Sequence, residues 1–426
     1  MRNKIFTYHY VKLIITSLLI GLVCAAIAES LKHLTEHFEE VIFEWIKSNY
    51  PIWFFILPSV GITIIYFLRK YAFKNRKNKG ITEIYKTLDQ RKDHLPFFKI
   101  PSHYINGFLT VIFGGSTGIE VSTVVATATV GNVAYKKQMA AYAFKREMVC
   151  AGVAAGVAVL FASPIAGWLF AMEVIARKIN KSLIVSCTTS AIVAGVFIYF
   201  FDGHTLLPFT IDNWKWSAFP FFFFLSLMGG ALATYFTLAV IKIKDGFSKI
   251  NNNFIRVNLG AITVGTLIYF LPFLFGDSYH GLKEILAHSL EAKVGNSFIL
   301  TLLLLVFLKP IASSLTLGAG GDGGVFAPSI VAGAILGVLF AVICNKFLGT
   351  HLLVLNFALV GAAATLSAAI HAPLTALFLV CNLVPNGFSL FVPLLLAAFV
   401  AKSFAVLLLP YNVYTYNLGS STQNQK

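Results

Sequence analysis

The chain has 426 residues, of which 57% are hydrophobic and only 12% charged, with a mean hydropathy of +0.78. Soluble domains carry about 25% charged residues, so this composition excludes a soluble globular protein and indicates a polytopic membrane protein. The net charge of +15 does not mark a nucleic-acid binder, because the basic residues collect in short loops between apolar segments, as the positive-inside rule requires.

Apolar stretches long enough to span a bilayer, or nearly so, lie at 11–28, 51–68, 104–135, 148–175, 183–201, 217–241, 258–276, 297–317, 326–344, 352–380 and 387–409. The first lacks a small-residue cleavage site and is followed by a second span, which argues against a signal peptide. Residues 29–50 read as a loop carrying Glu29, Glu36, Glu39, Glu40 and Glu44, whereas the loop after the second segment carries Arg69, Lys70, Lys74, Arg76, Lys77 and Lys79. This asymmetry places the N-terminus and residues 69–95 in the cytoplasm and residues 29–50 outside. By the same rule Lys136-Lys137, Arg177 to Lys181 and Lys242 to Lys249 are cytoplasmic and Asp202 to Asp212 external. Some segments exceed the roughly 20 residues that one span needs, and others are broken by Gly or Pro. More helices than segments are therefore expected, some short or re-entrant. We expect one transmembrane domain over 1–426, with approximate halves 11–201 and 217–410 and a short tail 411–426.

Two glycine-rich runs stand out. Residues 114–120 read Gly-Gly-Ser-Thr-Gly-Ile-Glu, and residues 317–329 read Leu-Gly-Ala-Gly-Gly-Asp-Gly-Gly-Val-Phe-Ala-Pro-Ser. Both open into apolar segments. Glycine exposes backbone N–H groups, and a helix N-terminus carries about half a positive elementary charge. Two such termini directed at one spot make an anion site that needs no full positive charge. Glu120 is the one carboxylate in its apolar stretch, and such a residue is a functional-site hypothesis by default.

The two halves repeat weakly. Ser-Pro-Ile-Ala-Gly-Trp-Leu-Phe at 163–170 echoes Ala-Pro-Leu-Thr-Ala-Leu-Phe-Leu at 372–379, each some 45 residues after a glycine loop. Matching broken segments in two halves are the mark of inverted-repeat transporters. The five cysteines (Cys24, Cys150, Cys187, Cys344, Cys381) are scattered and form no Cys-x-x-Cys pair, so they read as small hydrophobes. His371, beside Pro373, reads as a packed histidine. No metal or cofactor is expected.

In its ordered motifs the chain resembles the CLC chloride channels and proton/chloride antiporters, from about residue 60 to 418. Gly324, Val325, Phe326, Ala327 and Pro328 match the family pattern G-[IV]-F-A-P. Residues 114–122 resemble its G-G-S-x-G-R-E-G-P, residues 150–173 its small-residue helix, A-P-L-A-G turn and F-x-x-E ending, and His371-Ala-Pro-Leu-Thr-Ala its second-half turn. The resemblance implies an all-α membrane protein, an inverted-repeat bundle of tilted and broken helices, forming a homodimer with one pore per subunit. It implies a glutamate gate at Glu120, whose carboxylate occupies an anion position until protonation releases it. Anion-binding positions fall on Lys79, Gly80, Ile81, Val325, Phe326 and Tyr414, and the glycine loops contribute Gly118, Gly323 and Gly324.

Departures from the family pattern are informative. The family's G-S-G-I-P-E falls on Asn78 to Glu83, so Lys79 replaces the serine that helps coordinate the anion. Its side chain either snorkels to the cytoplasmic mouth or sits over the anion path. The Arg, Gly and Pro around the gate become Ile119, Val121 and Ser122. Glu173 matches the first acid of the family's E-E pair and is a possible proton-path residue. The second acid is Val174, and a later one is Asn382. These losses point to a channel-like or weakly coupled mode, with proton-coupled chloride antiport as the alternative. A membrane enzyme acting on a lipid phosphate is the remote alternative. Asp322 is the only aspartate in the glycine loops, too few for metal or acid/base work. The expected partners are chloride or a similar anion, membrane lipid and a second copy of the chain. The expected location is a bacterial inner membrane.

Overall fold

The computed structural model describes residues 2–74, 76, 78–89, 93–202, 205–211, 213–290 and 295–416, with the side chains of 2–7 and 142 excepted. Lys77, Asp212 and the tail from 417 lie outside the described residues. Sixteen α-helices occur among them, and no strand. In chain order they are α1 (Arg2–Asn49), α2 (Trp53–Tyr71), α3 (Ile81–Asp89), α4 (Lys99–Ile112), α5 (Glu120–Lys136), α6 (Lys145–Leu160), α7 (Pro164–Phe170), α8 (Lys181–Phe201), α9 (Phe219–Ser248), α10 (Asn253–Phe270), α11 (Tyr279–Ser289), α12 (Asn296–Ala319), α13 (Phe326–Leu348), α14 (Val354–Ile370), α15 (Pro373–Cys381) and α16 (Phe391–Leu408). Among the described residues, eight helices are long and apolar enough to cross a membrane, and the protein is an integral, multi-span membrane protein.

The excess of helices over apolar segments has local causes. The segment 104–135 divides at the first glycine loop into α4 and α5, 148–175 divides at Ser163-Pro164, and 352–380 divides at Ala372-Pro373. Proline lacks the N–H that would continue a helix but suits its first turn. The expected loop at 29–50 is instead helix, since α1 runs unbroken to Asn49. No Gly or Pro occurs from Leu22 to Tyr50, so nothing interrupts the hydrogen-bond ladder. Its acids are helix residues, and Glu29 pairs with His33 one turn on at 2.7 Å.

The chain forms two compact units. Residues 1–34, 76–108 and 119–205 make the first. Its core packs Ile20, Cys24 and Ala28 of α1 against Met148, Ala151, Ala155 and Ala158 of α6 and Ala194 of α8. Helices α5 and α6 lie close, because a Cβ on Gly131 would come within 2.1 Å of the Met148 carbonyl oxygen. Small residues let membrane helices pack backbone to backbone.

The second unit comprises residues 35–75, 109–118 and 206–426. Here α13 and α14 pack through glycine in the same way, with a Cβ on Gly361 falling 2.1 Å from the Gly333 carbonyl oxygen. Each unit thus has the same succession: a glycine-loop helix, a close-packed small-residue helix, a residue in the left-handed region (Ala162, φ 46°; His371, φ 58°) and a proline-led short helix. In both, the N–H of the residue after the left-handed one reaches back to a carbonyl five places earlier, Ser163 to Ala158 at 2.8 Å and Ala372 to Ser367 at 3.3 Å. All five cysteines are buried and free.

Candidate functional site

In the first unit, Glu120 is the first residue of α5 and is 4% exposed. Ile119 precedes it without a side-chain cap, so the first-turn N–H groups are not satisfied by a capping side chain. Gly80 has φ +60°, and a Cβ there would meet Val121 Cγ1 at 3.2 Å. The structure therefore brings Gly80 and Ile81, at the start of α3, against the first turn of the helix that carries Glu120. Lys79 is exposed, and its backbone N–H donates to Glu83 Oε1 at 3.0 Å.

Glu83 anchors this corner and was not anticipated from the sequence. Its carboxylate pairs with Lys99 Nζ at 2.8 Å and lies 3.8 Å from His103 Nε2. Lys99 also donates to Asn78 Oδ1 at 3.0 Å. Burial by itself pushes the Glu83 carboxyl up, but the His103 and Lys99 contacts outweigh it and hold the group below the usual carboxylate range. The acid is thus kept charged, locking residues 78–83 to α4.

Glu173 lies half-buried in the π-helical turn Ala171–Ala176. Such turns are rare and concentrate at functional sites. The next carbonyl, of Val174, accepts from the Tyr85 hydroxyl at 3.1 Å, and the Arg177 guanidinium lies 3.7 Å over the Tyr85 ring. Helix α3 is therefore fastened to the turn that carries Glu173. Lys32 pairs with Asp202 at 2.6 Å, also unforeseen.

In the second unit the two glycine loops meet. Gly118 and Gly324 form an antiparallel bridge, and Thr117 Oγ1 donates to the Gly324 carbonyl at 2.7 Å. Ser116 N–H donates to Thr316 Oγ1 at 3.1 Å, and Asp322 N–H to Thr110 Oγ1 at 2.9 Å. Gly323 packs so closely that a Cβ would lie 2.6 Å from the Thr117 side chain and 2.8 Å from the Gly118 oxygen. Helix α13 starts at Phe326 behind an uncapped Val325, presenting its N-terminal dipole end. Tyr414, 7% exposed, has its ring 6.2 Å from that of Phe326. It is held by Asn412, whose Oδ1 accepts from Tyr414 N–H at 3.0 Å and whose Nδ2 donates to the Ile370 carbonyl at 2.9 Å. Gly118, Gly323, Gly324, Val325, Phe326 and Tyr414 thus share one neighbourhood. Asn382 ends α15 and donates to the Phe378 carbonyl at 2.7 Å.

The chain matches the family model described as voltage gated chloride channel over residues 60–406. It is 25% identical to the H(+)/Cl(-) exchange transporter ClcA of Vibrio cholerae serotype O1, over 96% of this chain and 90% of that protein. It is also 25% identical to the ClcA of Yersinia pestis bv. Antiqua, over 82% and 74%. Among solved structures, its fold is similar to that of a slow cyanobacterial Cl-/H+ antiporter (TM-score 0.82, 20% identity, covering 97% of this chain and 99% of that one) and of a CLC-type fluoride/proton antiporter (0.76, 21%, 94% and 96%). The family consists of transporters, which sets aside the lipid-phosphate enzyme. Since its family model spans the greater part of the sequence, the chain belongs to the voltage gated chloride channel family, the CLC proteins.

Proposed function

We propose that this protein carries chloride across a bacterial inner membrane in exchange for protons, with Glu120 as the gate. The carrying observation is a buried carboxylate on the first turn of an uncapped helix directly after a glycine loop. A carboxylate there mimics a chloride ion, and its neutralisation removes the attraction that holds it. Backbone N–H groups near Gly80, Ile81, Val325 and Phe326, with the Tyr414 phenol, are the proposed anion donors. Glu173 is the proposed proton-path acid.

Exchange is preferred to the channel-like mode because the relatives are named as H(+)/Cl(-) exchangers. Val174 and Asn382, which carry no titratable proton, favour the uncoupled mode as a second reading. One experiment decides: in liposomes with an imposed chloride gradient, chloride and pH are followed together. Sustained uphill proton movement at a fixed ratio supports exchange, and chloride flux without it supports the uncoupled mode. We further propose a single transport domain, a cytoplasmic N-terminus and a homodimer. The homodimer reading is supported by outward apolar grooves, one along Ile165, Trp168, Ile192 and Val196 and one along Leu374, Val392, Leu396 and Phe399.

A further inference from the structure

A lysine with no part in the anion site as drawn holds the first glycine loop. Lys309 lies within the apolar helix α12 and is fully buried. A charge inside a membrane segment is costly and is kept where it does something specific. Its Nζ donates to Ser278 Oγ at 2.6 Å, to Ser116 Oγ at 2.9 Å and to the Gly276 carbonyl at 3.4 Å. An ammonium has three donors, and these oxygens tie it to two segments far apart in the sequence, which makes Lys309 a fastener between them.

What it fastens is specific. Gly276 and Ser278 belong to a turn wrapped around the carboxylate of Glu39, whose Oε1 accepts from Asp277 N–H at 3.1 Å. Gly276 has φ +56°, and a Cβ there would fall 1.8 Å from Glu39 Oε1, so glycine spares this turn both backbone strain and a displaced carboxylate. The carboxyls of Glu39 and Asp277 lie within electrostatic reach of Lys309. The third acceptor, Ser116, lies in the first glycine loop. Its backbone N–H is held in turn by Thr316, two helical turns beyond Lys309 on α12. Helix α12 therefore grips Ser116 at both its side chain and its backbone. Two residues on, Gly118 pairs with Gly324.

We propose that Lys309 is a positioning residue for anion binding: through Ser116 it fixes the first glycine loop against the second, and so sets where the backbone donors after Gly324 point. This rests on the reading that the glycine loops cradle the anion. The test uses full-length protein, with chloride binding by calorimetry, flux in liposomes and thermal unfolding, for wild type, Ser116→Ala, Lys309→Met and Lys309→Arg. Ser116→Ala removes only the link to the loop. We expect it to weaken chloride binding by about threefold or more, the scale of one lost hydrogen bond, with little change in thermal midpoint. Lys309→Met should weaken binding further, and Lys309→Arg, which still donates, should restore most of it. A lower midpoint with wild-type chloride affinity in Ser116→Ala is the signature of a purely structural lysine and overturns the proposal. If Lys309→Met does not fold, Ser116→Ala decides alone. A wild type that neither binds nor moves chloride overturns the transport reading itself, and this inference with it.

Discussion

Thr117 Oγ1 donates to the carbonyl oxygen of Gly324 over 2.7 Å, joining two glycine loops that lie 207 residues apart in the sequence. Both residues are buried. The bond replaces the water that this carbonyl would otherwise need and fixes the backbone one residue before Val325, the N-cap of α13. A side chain from one sequence repeat thereby sets the helix start of the other.

Thr117→Val keeps the shape and deletes the donor. It should cost about 1–3 kcal/mol, since a buried carbonyl loses its partner, and should weaken chloride binding. Thermal unfolding in detergent and calorimetric chloride titration check both. Unchanged chloride affinity would show that the clasp does not shape the anion site.

Gly323 and Gly246 make a matched pair. A Cβ on Gly323 collides with Thr117 and the Gly118 backbone, whereas one on Gly246, in α9, meets nothing within 4 Å. Gly323→Ala should spread the loops and abolish liposome chloride flux. Gly246→Ala should leave flux intact and raise stability by up to about 1 kcal/mol, the helix-propensity gain.

The sequence made the helical class, the glycine loops and the proline breaks legible, because each is a local signal: apolar run length, glycine spacing, a missing N–H. Gly118, Gly323, Gly324, Val325, Phe326 and Tyr414 lie together in the fold, a proximity across some 300 residues that only the tertiary structure displays. The continuation of α1 to Asn49 was legible in principle from the lack of Gly and Pro between 22 and 50, but the acidic residues suggested a loop. Glu83 with Lys99, and Lys32 with Asp202, pair across 16 and 170 residues, and no short window reveals them. Lys309 did leave a trace, a single cation inside the apolar run 297–317, which the charge pattern of the loops obscured.

Glu120→Gln tests the gate. The amide cannot ionise and no longer competes as an anion. Chloride flux at neutral pH should rise and lose its pH dependence, and coupled proton movement should fall to background. Reconstituted protein with a pH-sensitive dye and a chloride electrode reports all three. Wild-type flux and pH response would remove Glu120 from the gate.

Glu83 gives a pH prediction with a definite sign. Its folded-state pKa lies below the unfolded value near 4.5. Its contribution to stability is therefore fully present above that pH and is lost as pH falls through the lower folded value. Glu83→Gln should destabilise the protein at pH 7 by on the order of 3 kcal/mol, because the buried Lys99 ammonium loses its counter-charge. The variant should also lose part of the acid limb of the stability profile below about pH 4.5. Melting curves from pH 7 down to pH 3.5 check it, and parallel profiles for the two proteins would contradict it.

Lys79 falls where the resemblance implies an anion-coordinating serine, and its exposure favours the reading in which the side chain stays off the anion path. The side chain is exposed, while the backbone N–H is committed to Glu83. An exposed ammonium acts on an anion only through its field, raising the local anion concentration. That field reaches about 30 Å at 0.01 M salt but only about 8 Å at 0.15 M. Lys79→Ser should therefore lower chloride flux at low ionic strength and leave it unchanged at physiological salt. The nitrate/chloride permeability ratio should stay at its wild-type value under both conditions, because the backbone donors near Gly80 and Ile81 remain. These donors attract any small monovalent anion, so wild type itself should separate chloride, bromide and nitrate poorly. Anion-replacement flux measurements at the two salt levels test the set. A ratio that shifts toward chloride in Lys79→Ser at high salt would place the lysine side chain on the anion path after all.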